Sequence, residues 1–331
     1  MKKIKVAQIG TSRYGHGSII FDTLAKNPDI FEIVGYALPE NERTKFPDHM
    51  ERFENYREMS LDEILSDSSI EAVFVETEEI YLTKYAILAA KSGKHVHMEK
   101  PGGVSLEEFE ELIAILKEKK TVFHTGYMYR YNPVISDIIK RARSGEIGEI
   151  LSVEAHMSCY HPVECTEWLS GFEGGMMFYL GCHLVDLVLQ IKGRPDRIVP
   201  VNRSSGRFEG VTSNDSSFAL FEYPTGASFV KTSAAECGGF SRRQLVVSGT
   251  KGRFTVCPLE VTTDYPSQYT EYNECLSTDW GDTGVWKRSE IHDRYEAMLF
   301  SFAEMVRGEK ENPYSYDYEL ELFKVITECC K

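Results

Sequence analysis

The first third of the chain alternates two kinds of hydrophobic spacing. Compact apolar runs, "KIKVAQIG", "FEIVGYAL", "EAVFVET" and "KHVHM", are interleaved with "SIIFDTLAKN", "YLTKYAILAAKSG" and "SLEEFEELIAILKEKK", whose apolar residues recur at helical intervals. Continuous apolar runs suit strands buried on both faces, and the amphipathic stretches suit helices that cover them. The alternation predicts an α/β domain built on a doubly wound parallel sheet. Beyond about residue 122 the rhythm changes. A helix from Pro133 to Ser144 leads through "SGEIGEILSVEAHMS" into "SSFALFEY", "ASFVKTSAA", "RQLVVSG" and "GRFTV". Their hairpin-like spacing predicts a second, α+β domain with a large, mainly antiparallel open sheet. The expected domains are residues 1–122 and 123–331, with terminal helices near Ile291–Arg307 and Tyr316–Cys330 packing back on the first.

Composition narrows the function. A chain of 331 residues exceeds what one ordinary core supports, and 42% hydrophobic with 27% charged residues is the balance of a soluble globular protein. No apolar run reaches membrane-spanning length, and the opening "MKKIKVAQIG" reads as a first strand rather than a leader. The formal net charge of -14 argues against nucleic-acid or anionic-membrane partners. Eight cysteines without paired spacing are expected as reduced thiols in the cytoplasm, and Cys159, His161 and Cys165 lack a zinc pattern, so no metal is expected.

The turn after the first run, "IGTSRYGHGSI", has the outer glycines of G-x-G-x-x-G at Gly10 and Gly15, with Ser12 in place of the middle one. Such a turn offers backbone N–H groups and a helix N-terminus to a pyrophosphate, which makes Gly10, Ser12, Arg13, Tyr14 and Gly15 candidate NAD or NADP contacts. A plain turn is the alternative. The second strand ends at Leu38, where an acid for the adenosine ribose is the usual residue; the first acid is Glu40. Arg13 or Arg43 is a candidate for a 2′-phosphate, and two solvated surface arginines are the alternative.

With "AILAAKSGKHVHMEKP", "GYMYRYNPVISDIIKRARSGEIGEI", "GGMMFYLGCHLVD" and "FAEMVRGEKENPYSYDYELEL", these pieces resemble the Gfo/Idh/MocA oxidoreductases, the glucose-fructose oxidoreductase and inositol dehydrogenase group, nearly end to end. The resemblance implies an N-terminal Rossmann domain and a C-terminal substrate and oligomerisation domain. It also places Lys100 of the Glu-Lys-Pro tripeptide beside the nicotinamide and the substrate hydroxyl, with Glu99 near the cofactor ribose. A lysine there can hold the oxygen that gains or loses a proton and stabilise a developing alkoxide.

Three positions depart from that family pattern. In "GGMMFYLGCH" the aspartate four residues before His183 is replaced by Tyr179. On a regular helix the two share a face, so His183 or Tyr179 is expected to handle the proton while Lys100 polarises the oxygen. The Thr-Pro-Asn turn becomes Thr77-Glu78-Glu79, with Leu82 at the usual histidine. Carboxylates there oppose an anionic cofactor unless they turn away or bind hydroxyls. The third departure is Ser12 with Leu38. Tyr127, Arg130, His156, Tyr160, Trp168 and His183 are the candidate substrate residues, aromatic faces and polar tips that suit a carbohydrate.

The sequence thus points to an NAD(P)-dependent oxidoreductase acting on a secondary hydroxyl carbon of a sugar, polyol or glycoside, assembled as a homodimer or homotetramer. A redox-neutral glycoside-cleaving or epimerising enzyme with bound NAD and a non-catalytic ligand-binding relative are the alternatives.

Overall fold

The structure, a computed structural model, describes residues 2–331. The chain forms two compact units: one runs to Tyr127 and takes in Tyr295–Phe323, and the other comprises Met128–Arg294 and Lys324–Lys331.

In the first unit β1 (Ile4–Ile9), β2 (Phe31–Ala37), β3 (Ala72–Val75), β4 (His95–Met98) and β5 (Phe123–Thr125) form a parallel sheet in the order β2-β1-β3-β4-β5. A parallel bridge from Tyr36 to Glu58 adds one further segment outside β2. Counting that segment, the order is that of the doubly wound Rossmann sheet, which changes direction between β1 and β3. The expected α/β sheet is therefore present. Its strands are buried on both faces, as their unbroken apolar runs require: β3 is buried at every position. The unit extends past the expected boundary near 122 because Phe123–Thr125 pairs in parallel with β4 instead of opening the second domain. From the chain's end, Phe323 stacks on Phe109 with ring centroids 4.3 Å apart.

The second unit is built on β6 (Ile150–Ser158), β7 (Arg197–Arg203), β8 (Ser216–Glu222), β9 (Ala227–Ser233), β10 (Gln244–Gly249) and β11 (Gly252–Val256). A small sheet holds β12 (Val261–Asp264), β13 (Ser267–Tyr269) and β16 (His292–Asp293), while β14 (Glu271–Cys275) and β15 (Val285–Arg288) extend the large one. The large sheet has the order β15-β14-β11-β10-β6-β9-β8-β7, antiparallel throughout except for the β6–β9 pair. Val153, Ala155 and Met157 of β6, with Val230, Leu245 and Val247, are buried on one face, against the helix Cys182–Lys192. The alternate positions face the other way. Among the described residues no helix is long and apolar enough to cross a membrane.

Candidate active site

The turn after β1 is pinned at both ends by one side chain. Gln8 donates through Nε2 to the carbonyls of Gly10 and Gly17, 2.9 Å each. Gly10 has φ of +90°, and a Cβ there would lie 2.5 Å from Thr77 Cγ2 and 2.6 Å from the Thr77 backbone. Glycine is needed for both reasons. The Ser12 N–H donates to the Glu76 carbonyl at 2.8 Å. Its Oγ is buried without a hydrogen-bond partner and sits 2.2 Å from where a Gly15 Cβ would be. Thus the hydroxyl that replaces the middle glycine points into the turn.

Lys100, Glu99 and His16 meet beyond the end of β4. The Glu99 N–H is tied to the Val75 carbonyl at 3.0 Å. Its Oε1 lies 3.0 Å from His16 Nδ1 and 3.9 Å from Lys100 Nζ. Glu99 is 0% and Lys100 1% exposed. Burial pushes the Glu99 carboxyl up, but His16, Lys100 and His97 outweigh it and hold it below the usual carboxylate range. The group is an ionised carboxylate and a lysine shielded from water, where charge–charge interactions are strongest. Sequence reasoning missed His16; only its place in the glycine turn hints at it.

Three more acids are fully buried around the same turn: Glu42, Glu76 and Glu79. Burial pushes Glu79 up to about 8, with Lys100 opposing and Glu99 and Glu78 adding to the rise. Burial likewise takes Glu42 to about 8, although its Oε2 accepts the Thr11 N–H at 3.0 Å. Glu76 is raised by burial, then by Glu99 and Glu79. At neutral pH Glu42 and Glu79, pushed up to about 8, are mostly carboxylic acids, and burial shifts Glu76 in the same direction. The adjacent acids Glu78 and Glu79 diverge. Glu78 lies 3.7 Å from Lys45, whereas Glu79 turns inward, its Oε1 3.6 Å from the Gly15 Cβ position.

Ser12 Oγ, both Glu79 oxygens and Glu99 Oε2 have no hydrogen-bond partner in another residue. Buried polar atoms in native proteins are almost always paired, and the phosphates and ribose hydroxyls of a dinucleotide would supply partners. These residues fit an NAD(P) group.

At the end of β2 the polar residues are already engaged. Leu38 packs on the Phe21–Tyr36–Phe53 cluster. Glu40 accepts from Lys84 Nζ and Tyr85 Oη, 2.7 Å each. Arg43 donates to Tyr36 Oη and Glu58. Arg13 is exposed, its guanidinium 5.4 Å from the Phe46 ring centroid, and it makes no ion pair among the described residues. Its neighbour Tyr14 is half-buried and Thr77 fully buried.

The second unit carries the remaining candidate residues. Residues Met177–Gly181 form a π-helical turn ahead of the helix that starts at Cys182. A turn of a little over four residues leaves positions four apart nearly aligned, as the ordinary turn of 3.6 does, so Tyr179 and His183 stay on one side of the helix, each against aromatic neighbours of its own. Tyr179 meets Trp168 edge-on at 5.0 Å and lies 6.1 Å from the His161 ring. His183 meets Tyr129 edge-on at 5.4 Å.

Arg130 is not a substrate contact. Its Nε and Nη2 clasp Asp186 at 3.0 and 2.8 Å, and Gln190 joins the same carboxylate at 2.8 Å. Both charged side chains are 1% exposed. His156 is also misplaced as a substrate residue. It alternates with Ala155 and Met157 and so lies on the sheet face away from the helix, bonded to Ser158 and Glu236. Tyr160 is exposed, with the Arg207 guanidinium 4.3 Å from its ring, and Tyr127 is buried at the end of the first unit.

Residues 4–127 match the profile of the oxidoreductase family with an NAD-binding Rossmann fold, and residues 136–255 match the GFO/IDH/MocA C-terminal domain. The chain is 32% identical over 196 residues to the oxidoreductase YhhX of Escherichia coli, covering 59% of this chain and 55% of that one. It is 27% identical over 202 residues to scyllo-inositol 2-dehydrogenase (NADP(+)) IolW of Bacillus subtilis, covering 60% and 55%. The match therefore spans little more than half of each relative. A crystal structure described as an NADPH-dependent oxidoreductase from Desulfitobacterium hafniense shares the fold, with a TM-score of 0.80 at 20% identity over 100% of this chain and 95% of that one. With both halves matched, the chain belongs to the GFO/IDH/MocA family of oxidoreductases.

Proposed function

We propose that this chain is an oxidoreductase that prefers NADP(H) and acts at a secondary hydroxyl carbon of a sugar or polyol. The observation that carries the reading is the buried Lys100–Glu99–His16 group beyond β4. When bound, the nicotinamide supplies or accepts the hydride. Lys100 Nζ holds the substrate oxygen and stabilises negative charge developing on it, an interaction strengthened by the exclusion of water. Glu99, fixed by His16 and by its own backbone bond to Val75, positions the lysine. For the substrate proton, His183 and Tyr179 are the candidates by sequence position.

The NADP(H) preference is supported by the second strand's end. Leu38 offers no acceptor, Glu40 and Arg43 are engaged elsewhere, and Arg13 remains for a 2′-phosphate. Calorimetric titration with NAD, NADH, NADP and NADPH tests the reading, with NADPH expected to bind about tenfold or more tighter than NADH. Equal or reversed affinities overturn the preference; no binding of any of the four overturns the oxidoreductase reading. Sugars, polyols and glycosides are then screened by following the substrate, so that a redox-neutral conversion is also seen.

We infer also that a second copy covers the outer face of the large sheet. Val201, Phe218, Leu220, Phe229 and Val246 are partly exposed there, with Phe218 and Phe229 stacked 5.5 Å apart. Sedimentation should give a dimer or tetramer for the parent protein and a smaller species for Phe229→Glu; a monomeric parent protein refutes it.

A further inference from the structure

The fold encloses the acids around the glycine turn at the point where a diphosphate would approach. Glu79 carries the clearest geometry. It is fully buried, neither carboxyl oxygen bonds another residue, and it shares with the unpartnered Ser12 hydroxyl the space beside Gly15. A glycine turn entering a helix sets a pyrophosphate close to that spot through its backbone N–H groups. An ionised carboxylate there would repel the phosphates, whereas a carboxylic acid has an O–H to donate.

We propose that Glu79 is a specificity-determining residue for the cofactor, donating a hydrogen bond as a neutral acid to a diphosphate oxygen across the Ser12–Gly15 turn. The inference rests on the NADP(H) reading and adds a pH dependence to it. The charged and titratable groups facing Glu79 all belong to the first unit. Glu78, beside Lys45, adjoins it on its own turn; Glu76 ends β3; Glu99, Lys100 and His16 come from beyond β4 and from the glycine turn. Glu42 binds the Thr11 amide of the same turn. Ionisation of Glu79 adds a negative charge that only Lys100 opposes directly. Cofactor affinity must then fall as pH rises through that ionisation.

The experiment is calorimetric titration of NADPH between pH 7 and pH 9 into the parent protein, Glu79→Gln and Glu42→Gln. The amide keeps a donor at position 79 and cannot ionise. One required proton weakens binding by the parent protein about tenfold from pH 7 to pH 9, and Glu42→Gln shows the same fall. Glu79→Gln has the same NADPH affinity at pH 9 as at pH 7. Circular dichroism of each protein at both pH values shows that the loss is not unfolding. A fall that persists in Glu79→Gln, or one that vanishes only in Glu42→Gln, overturns the inference and leaves the NADP(H) reading standing. Absence of NADPH and NADH binding by the parent protein at every pH overturns both.

Discussion

Replacing Glu79 by glutamine should stabilise this protein, and by an amount that grows with pH. The side chain is fully buried, and its carboxyl ionises at about 8 in the folded chain against an ordinary value of 4.5. Between those values the folded chain keeps a proton that the unfolded chain has lost. Stability must therefore decline as pH rises from about 4.5 to about 8, and level off above. At about 1.36 kcal/mol per unit the whole decline is on the order of 5 kcal/mol. Glutamine has the same shape and never ionises, so the variant escapes this decline while retaining those caused by Glu42 and Glu76. The difference between the two proteins isolates one proton. Melting curves at intervals from pH 5 to pH 8.5 should show nearly equal midpoints at pH 5 and a variant roughly 10 °C higher at pH 8. A constant offset across the range would refute the reasoning, because it would mean that Glu79 titrates alike in the folded and unfolded chains.

Other consequences follow from single contacts. Asp186→Asn removes the charge that Arg130 clasps inside the second unit and should cost about 3–5 kcal/mol in denaturant unfolding; a loss below about 1 kcal/mol would mean that the pair is solvated in practice. Arg13→Ala should weaken NADPH binding about tenfold or more and leave NADH within about twofold, whereas equal losses would make the arginine a general adenosine contact. If the Tyr179 phenol carries the substrate proton, Tyr179→Phe lowers kcat about a hundredfold with little change in cofactor affinity. Unchanged turnover removes it from the mechanism and leaves His183.

Much of the architecture was written in local pattern. The fully apolar "AVFV" run reads as a strand covered on both sides, and the parallel sheet followed from the alternation of such runs with amphipathic helices. Position within that sheet also made Gly10 and Gly15 legible, since the ends of adjacent strands are where such a fold binds ligands, while Lys100 was legible only through the family resemblance of its Glu-Lys-Pro tripeptide. What the sequence hid depends on distant partners or on a change of local period. Arg130 looked available because Asp186, its counter-ion, is 56 residues away. The π-helical turn at Met177–Gly181 has no signature in residue spacing. His156 sits one position from the buried Ala155, and in a strand one position decides the face. Glu42 and Glu76 escaped because acids are normally exposed, whereas Glu79 stood out in the sequence as a carboxylate opposing the cofactor but not as a buried acid.

The most direct test uses NADPH deuterated at the transferable position of the nicotinamide, offered with a panel of keto sugars and keto polyols to the parent protein and to Lys100→Met. Deuterium should appear at the new carbinol carbon with the parent protein, and should drop at least about a hundredfold with Lys100→Met while calorimetry shows the cofactor still bound. Bound cofactor that transfers no label to any member of the panel, or equal transfer by the two proteins, would contradict the role assigned to the Lys100–Glu99–His16 group.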